Sequence, residues 1–299
     1  MSQEHTDLST CNVAIIGGGF TGTTLAAQLL RRSPDVSITV IERFGQPGRG
    51  VAYGTQYGLH YLNVPTGSMS AFPDEPGHFL RWARDNFDAG VEAGDFLPRR
   101  IYGQYVESLI RDARQKIDWR QDEALSVTRL ERGAEVRLRN GPKVIADRVV
   151  LAVGNFRPSD PLLSGKEQRS KRYIPFAWSA STLEGVEREC SVLLIGSGLT
   201  SVDMALALRA RDFRGRIHIL SRRGVIPEWH QRPRTWPVFW NENSPRTTRG
   251  LVRLVREQVE LASKQGIDWR PVIDSLRSVT SQIWQLLPDA EKRRFTNDA

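Results

Sequence analysis

Residues 12–22 read NVAIIGGGFTG, and a helical pattern of apolar residues follows them. A second apolar run, SITVI at residues 37–41, then ends at Glu42. The order is strand, glycine turn, helix, strand and acidic residue. This order is typical of the βαβ unit that opens a Rossmann-like fold.

Each glycine of this turn has a physical reason. Gly17 allows a tight turn off the strand, Gly19 lets the backbone approach a pyrophosphate, and Gly22 lets the helix pack closely on the strand. The helix N-terminus then offers free N–H groups to phosphate oxygens. Glu42 can accept hydrogen bonds from the hydroxyls of an adenosine ribose. The pattern predicts a dinucleotide site, and a βα turn without a ligand is the alternative.

The unit occurs a second time in the chain. Residues 189–201 (ECSVLLIGSGLTS) align with residues 10–22 (TCNVAIIGGGFTG) at a constant offset of 179 residues. Gly196 and Gly198 keep the first two glycines of the motif, and Ser201 replaces the third. Serine is small enough for close contact between helix and strand, so we predict a second dinucleotide unit.

The two units end differently. The strand at residues 216–220 is followed by Ser221, Arg222 and Arg223, where the first unit has Glu42. A carboxylate suits a free ribose hydroxyl, whereas two guanidinium groups and a hydroxyl favour a 2′-phosphate. We therefore predict FAD in the first unit and NADP(H) in the second. Solvated charges at the strand end are the alternative interpretation of the arginines.

The segment between the units is consistent with a flavin domain. Residues 124–138 predict a β-hairpin around residues 131–133, and Val127 in this hairpin is a candidate cofactor contact. Residues 148–153 predict a buried strand that ends at Gly154, so the chain there can pass close to the first cofactor.

Four further motifs carry a family resemblance. They are GRGVAYG (48–54), HYLNVP (60–65), MSAFPD (69–74), and PRR (98–100) followed by Tyr102 and Tyr105. With the two glycine turns, they resemble the FAD/NAD(P)-binding proteins related to FAD-dependent urate hydroxylase and aspartate N-hydroxylase. The resemblance to ornithine N-monooxygenases is more distant. The resemblance to the first group extends over residues 10–295.

The resemblance implies that NADPH reduces FAD and that the reduced flavin activates oxygen to hydroxylate a small polar, nitrogen-containing molecule. The cofactor supplies the difficult chemistry, so the sequence assigns no catalytic residue. Residues 60–74, with Asn63, are expected near the flavin ring. A rigid loop packed by Leu62, Met69 and Phe72 is the alternative, and we expect His60 to be a structural hydrogen-bonding residue.

Composition restricts the remaining possibilities. The chain has 299 residues and a net charge of +8, but its arginines are dispersed and form no basic block, so we expect no nucleic-acid partner. Two cysteines without a Cys-x-x-Cys motif argue against a dithiol flavoenzyme, and the five histidines lack metal-ligand spacing. No signal-peptide or membrane-spanning pattern is present. We predict a cytoplasmic, metal-free protein with a small-molecule substrate and no membrane association.

The pattern changes after Arg223. A loop rich in Pro and Trp (227–245, with Trp229, Trp236 and Trp240) precedes helical stretches at about 249–265, 269–287 and 289–295. A nicotinamide domain inserted in a flavin fold normally needs more strands, after which the chain returns to the flavin domain, usually with a Gly-Asp motif. No strand pattern follows Leu220, and the one Gly-Asp pair, Gly94-Asp95, lies too early in the chain for that return. We therefore expect the chain to be truncated or frameshifted after about Phe295, with an open flavin site.

The predicted fold class is α/β, with two Rossmann-like dinucleotide-binding units, the second one incomplete, and a C-terminal helical segment. The expected divisions are an FAD-binding domain (1–160), a linker (161–186), the start of an NADP-binding domain (187–225) and a helical segment (226–299). The candidate cofactor-binding residues are Gly17, Gly19, Gly22, Glu42, Asn63, Val127, Gly154, Gly196, Gly198, Ser201, Ser221, Arg222 and Arg223.

Three functions are consistent with these observations. The first is an FAD- and NADPH-dependent monooxygenase. The second is a flavin reductase or dehydrogenase that inserts no oxygen. The third is a non-catalytic dinucleotide-binding protein that keeps the Rossmann units as a scaffold.

Overall fold

A computed structural model describes residues 11–44, 47–111, 116–155, 170–178, 182–228 and 234–297. The chain divides into two compact units, one ending at Pro227 and the other beginning at Glu228. Parts of the predicted linker (161–169 and 179–181) and Trp229 lie outside the described residues.

A four-stranded sheet forms the centre of the N-terminal unit. Its strands, in the order β3-β2-β1-β7, are β1 (Asn12–Ile16), β2 (Ser37–Ile41), β3 (Ile117–Arg120) and β7 (Arg148–Leu151). Every neighbouring pair is parallel. Parallel strands are buried on both faces, which explains the uninterrupted apolar runs of β1 and β2.

The two faces of this sheet are covered differently. Helix α1 (Phe20–Arg32) packs on the face that carries Val13 and Ile15. The opposite face, with Ala14, packs against a three-stranded antiparallel sheet. Its strands are β4 (Ala124–Arg129), β5 (Ala134–Leu138) and β6 (Val144–Ala146). The predicted hairpin is confirmed as β4 and β5, while β3 and β6 were not predicted.

A helical insertion joins β2 to β3. It contains α2 (Gly50–Tyr53), a short 3-10 turn (Thr66–Ser68), α3 (His78–Asn86) and α4 (Arg99–Ser108). Its core is aromatic, with Phe79, Tyr102 and Tyr105 fully buried.

Tyr105 also anchors the stretch that the sequence places near the flavin. Its hydroxyl accepts a hydrogen bond from the Ala71 N–H at 3.1 Å and lies 2.8 Å from His78 Nδ1. Burial lowers the pKa of His78, so a neutral ring that accepts the hydroxyl proton fits this contact. Leu62 is buried in the aromatic core of the helical insertion, whereas Phe72 is buried in the core between the sheet and α1.

The second βαβ unit repeats the first in its backbone register. Its elements are β8 (Val192–Ile195), α5 (Leu199–Ala210) and β9 (Ile217–Leu220). In β1 and β2, Val13 pairs with Ile38, and 179 residues later Val192 pairs with Ile217. The sequence repeat is therefore a structural repeat, and within the described residues its sheet has two strands.

The C-terminal unit is helical in its described part. It contains α6 (Thr248–Lys264), α7 (Trp269–Ser275), a 3-10 turn (Arg277–Val279), α8 (Thr280–Leu286) and α9 (Asp289–Asn297). The second predicted helical stretch is thus three shorter elements. No described residue after Leu220 lies in a strand, and no described helix is long and apolar enough to cross a membrane.

The first glycine turn should tolerate no side chain at Gly22. A Cβ there would lie 1.8 Å from the Gly17 carbonyl oxygen. Because backbone has to move, we expect Gly22→Ala to lower the free energy of unfolding by about 3 kcal/mol, as measured by urea denaturation. Gly94→Ala is the control, since its Cβ would meet nothing within 4 Å. Equal stability of the two variants would contradict this packing.

Candidate dinucleotide sites

The first glycine turn is held by the strand on either side of β1. Gly17 has φ of +105°, and its N–H donates to the Ile41 carbonyl at 2.8 Å. A Cβ at Gly17 would lie 2.3 Å from the Ala152 carbonyl oxygen, just after β7. A positive φ and a close backbone neighbour both require glycine here. Gly154 follows two residues later, so the chain after β7 passes beside this turn.

Glu42 is integrated into the same turn. Its Oε2 accepts from the Gly18 N–H at 2.7 Å, and its Oε1 accepts from the Phe44 N–H at 2.8 Å. An ionised carboxylate has about four acceptor positions, so two stay available for a ligand's hydroxyls. The Trp119 ring lies against Gly18 and limits the space beside the turn, since a Cβ on Gly18 would be 2.5 Å from it.

The second turn has the same geometry. Gly196 has φ of +102°, and its N–H donates to the Leu220 carbonyl at 2.7 Å, as Gly17 does to Ile41. Gly198 precedes α5 as Gly19 precedes α1, and both have extended backbone angles. Among the described residues, no side chain caps either helix, so their first N–H groups are available to phosphates.

The surroundings of the two turns differ. A Cβ at Gly196 or Gly198 would meet nothing within 4 Å, whereas Gly17 and Gly22 are crowded by backbone. Ser201 takes the place of the third glycine, and its hydroxyl donates to the Gly198 carbonyl at 2.8 Å. The second turn therefore forms an open backbone cradle.

The predicted 2′-phosphate residues lie in a loop that returns to this cradle. The Ser197 hydroxyl donates to the Val225 carbonyl, and the Ser221 hydroxyl accepts from the Gly224 N–H at 3.0 Å. Arg222 and Arg223, between these contacts, are exposed. The loop is thus tied to the glycine turn with its two guanidinium groups facing solvent.

Two candidates lie outside these clusters. Val127 is exposed on β4, and Asn63 is exposed between β2 and α3. Their assignment to the cofactor stays a prediction. Among the described residues, no group of three or more His, Cys, Asp or Glu side chains could hold a metal ion.

Sequence reasoning did not find a polar cluster beside the second unit. Arg99 Nη2 lies 3.0 Å from Asp203 Oδ2, and these side chains are only 17% and 9% exposed. His60 is fully buried, with Nε2 3.0 Å from the Asp203 carbonyl and Nδ1 2.7 Å from the Thr55 hydroxyl. Because a carbonyl only accepts, Nε2 donates and Nδ1 accepts from Thr55.

Burial determines the titration behaviour of this cluster. It raises the pKa of Asp203, and the nearby Arg99 charge partly offsets the rise. It also lowers the pKa of His60, which favours the neutral ring. Both ring nitrogens of His60 are engaged within the protein, so neither is free to contact a ligand. One feature of the sequence indicates this cluster, because Asp203 is an acidic residue within the apolar helix LTSVDMALAL.

The fold and the two glycine turns together define an α/β protein with paired dinucleotide-binding units. Residues 14–156 match the protein family described as FAD-NAD(P)-binding. This match confirms the predicted resemblance to FAD/NAD(P)-binding proteins and the predicted cofactor classes, FAD and NADP(H).

Individual proteins are similar over larger parts of the chain. The uncharacterized protein YdhS of Escherichia coli strain K12 is 26% identical, over 72% of this chain and 46% of its own length. Bacillithiol disulfide reductase Bdr from Bacillus cereus has a TM-score of 0.51 and 20% identity, over 71% of this chain and 58% of its own. S-allyl-L-cysteine S-oxygenase from Allium sativum has a TM-score of 0.51 and 21% identity, over 75% of this chain and 54% of its own.

The likeness to the two solved structures confirms the predicted fold class. The chain spans about half the length of these relatives.

The buried pair should make stability depend on pH in a defined direction. Without Arg99, an ionised Asp203 is left uncompensated, so Arg99→Ala should cost about 3–5 kcal/mol at pH 7. Because burial raises the pKa of Asp203 in the folded state, this penalty is absent below the carboxyl pKa of the unfolded chain. It grows as the pH rises through the raised pKa of the folded state. We expect the cost to shrink between pH 7 and pH ~4, measured by thermal unfolding.

The matched control is Arg99→Ala/Asp203→Asn, which lacks the titrating carboxyl. The stability difference between single and double variants should be largest at neutral pH and should vanish on acidification. A difference independent of pH would show that the Asp203 charge is not the cause.

Proposed function

We propose that the chain is an FAD- and NADPH-dependent oxidoreductase, with FAD in the first unit and NADPH in the second. One observation carries the proposal. The same backbone unit occurs twice in the same register, but Glu42 ends it once and Ser221, Arg222 and Arg223 end it the second time.

The first turn fits the adenosine end of FAD. Glu42 is almost fully buried and retains acceptor positions for ribose hydroxyls, while its negative charge repels a 2′-phosphate. The uncapped N-terminus of α1 supplies N–H donors for the pyrophosphate. Bare backbone at Gly19 and Gly50 leaves room for it, since a Cβ at Gly19 would lie 3.4 Å from Gly50 Cα.

The second turn fits NADPH. The space in front of Gly196 and Gly198 would accept the pyrophosphate, and the tied loop brings Arg222 and Arg223 to the strand end, where the adenosine ribose is bound in such units. Arginine pairs with phosphate oxygens through two parallel hydrogen bonds, so two exposed arginines there support recognition of a 2′-phosphate.

Bound FAD would accept a hydride from NADPH and pass the electrons on to a second substrate. The residues of this chain would bind and orient the two dinucleotides. We propose that oxygen is the second acceptor and that a small polar, nitrogen-containing molecule is hydroxylated, which rests on the resemblance of residues 48–105 to such hydroxylases. The likeness in fold to an S-oxygenase is compatible with this choice.

A disulfide reductase with a similar fold makes oxygen-independent reduction the second candidate. Against a dithiol mechanism, the two cysteines, Cys11 and Cys190, precede β1 and β8, one in each unit. Product analysis under air separates the candidates. A monooxygenase yields hydroxylated product in proportion to the NADPH consumed. NADPH consumption that yields only peroxide would favour a reductase, and no consumption with FAD bound would favour a non-catalytic binding protein.

The second unit should prefer NADPH to NADH through its arginines. A charge-assisted contact to the 2′-phosphate contributes about 1.5–3 kcal/mol, so Arg222→Ala or Arg223→Ala should weaken NADPH binding by about 10- to 100-fold. NADH affinity should stay unchanged, because it lacks that phosphate. Calorimetric titration of both nucleotides measures this, and equal affinities in the unaltered protein would mean that the arginines only face solvent.

Substitutions in the two glycine turns should abolish binding of the two dinucleotides independently. Gly19→Val should abolish FAD binding, because its side chain fills the space of the pyrophosphate. Gly198→Asp should abolish NADPH binding through charge repulsion while leaving stability intact, since aspartate is a favourable N-cap residue.

Each variant should keep the other dinucleotide, as judged by flavin absorbance and NADPH titration. Gly185→Asp adds the same charge in open space and serves as the control. Unchanged FAD affinity in a folded Gly19→Val protein would contradict the assignment of the first turn.

A further inference from the structure

The first turn of helix α4 lies between the two dinucleotide helices. Arg99, its first residue, reaches Asp203 on α5 at 3.0 Å. Tyr102, one turn later on the same side of α4, packs against Phe20, the first residue of α1, with ring centroids 5.9 Å apart. A single helical turn thus contacts the start of α1 and the first half of α5.

The contact with α5 is built from several directional interactions. Arg99 Nε donates to the Tyr61 carbonyl at 3.0 Å, and its guanidinium lies 5.1 Å from the centre of the Trp178 ring. His60 Nε2 donates to the Asp203 carbonyl at 3.0 Å. Among the described residues, Asp203 Oδ2 receives no aligned hydrogen bond, so Arg99 acts on it as a nearby charge. We call Arg99, Asp203 and His60 the α5 clamp.

The contact with α1 is apolar and continuous with the first glycine turn. Phe20 also packs on Tyr53 at 5.9 Å, and Tyr53 packs on Tyr102 at 4.7 Å. Tyr53 ends α2, whose first residue, Gly50, lies against Gly19. Any shift of α5 relative to the first turn must therefore break the clamp or move α4 and α2 together.

The chemistry of the clamp argues for a role beyond stability. A buried ion pair contributes little more to stability than apolar residues of the same volume, but its geometry restricts orientation. Asp203 is the fifth residue of α5, so the restriction acts close to the Gly196–Gly198 cradle.

We propose that the α5 clamp sets the orientation of the second dinucleotide relative to the first, which makes Arg99, Asp203 and His60 positioning residues for hydride transfer. This inference rests on the proposed function. Hydride transfer requires the donor carbon within near-contact distance of the acceptor, and a misplacement of about 1 Å can cost about 100-fold in rate. Loss of the α5 clamp should therefore slow hydride transfer even if neither dinucleotide contacts the clamp.

The chain contains its own reporter pair for this geometry. Cys11 and Cys190 are its two cysteines, both partly exposed and unpaired, and each stands just before the first strand of its unit. Spin labels on both cysteines report the distance between the two βαβ units without any cofactor bound. We expect a narrow distance distribution in the otherwise unaltered protein and one about twofold wider in Asp203→Asn and Arg99→Met, because the orienting contact is lost.

The same variants should separate binding from hydride transfer. Affinities for FAD and NADPH should stay within about threefold, while anaerobic single-turnover reduction of FAD by NADPH should slow by about 10- to 100-fold. Arg139→Met, which breaks the exposed pair with Glu123, is the control and should change neither readout.

A second variant protects the test against simple unfolding. Arg99→Met/Asp203→Leu replaces the charges by apolar side chains and should regain stability, yet still show the wide distribution and slow reduction. The proposal is overturned if this folded variant keeps both the narrow distribution and the unaltered reduction rate. If the protein binds no NADPH, the proposed function fails, and the distance distributions still decide whether the clamp orients the two units.

Discussion

The contact between Gly22 and the Gly17 carbonyl determines how α1 leaves β1. With no room for a side chain, the helix starts close to the strand end, and its first N–H groups point to the edge of the sheet where β1 and β2 end. Glu42, at the end of β2, then reaches back to the Gly18 N–H. The sheet, the turn and the acidic residue are one arrangement, because moving any of them breaks a backbone contact.

The second unit, the proposed NADPH site, keeps some parts of that arrangement and changes others. It keeps the register, the positive φ of the first glycine and the uncapped helix, yet it tolerates Ser201 and lacks the crowding around Gly17. What changes is the charge at the strand end, from a carboxylate to two guanidinium groups. The same backbone arrangement with opposite charges at the strand end would be a simple physical basis for binding one dinucleotide whose adenosine ribose lacks a 2′-phosphate and one whose ribose carries it.

Much of this could be predicted from sequence because the signals are local. The glycine turns, the flanking strands, α1 and the β4–β5 hairpin all follow from residue spacing within short segments. Strand β6 was missed because it has only three residues. Strand β3 was missed because it is short and pairs with a strand distant in sequence, with Ile117 opposite Ile38. The α5 clamp was missed for the same reason, since His60 and Asp203 are 143 residues apart. Asp203 in an apolar helix signalled an unusual environment, but it could not name Arg99 as its partner.

In the proposed function, two repeats of one βαβ unit bind two different dinucleotides in the same chain. The direct measurement is the stoichiometry of FAD and NADPH bound to the protein when both are present, by equilibrium dialysis under anaerobic conditions. We expect one molecule of each per chain, with neither displacing the other. Mutually exclusive binding, or saturation by a single nucleotide, would contradict it.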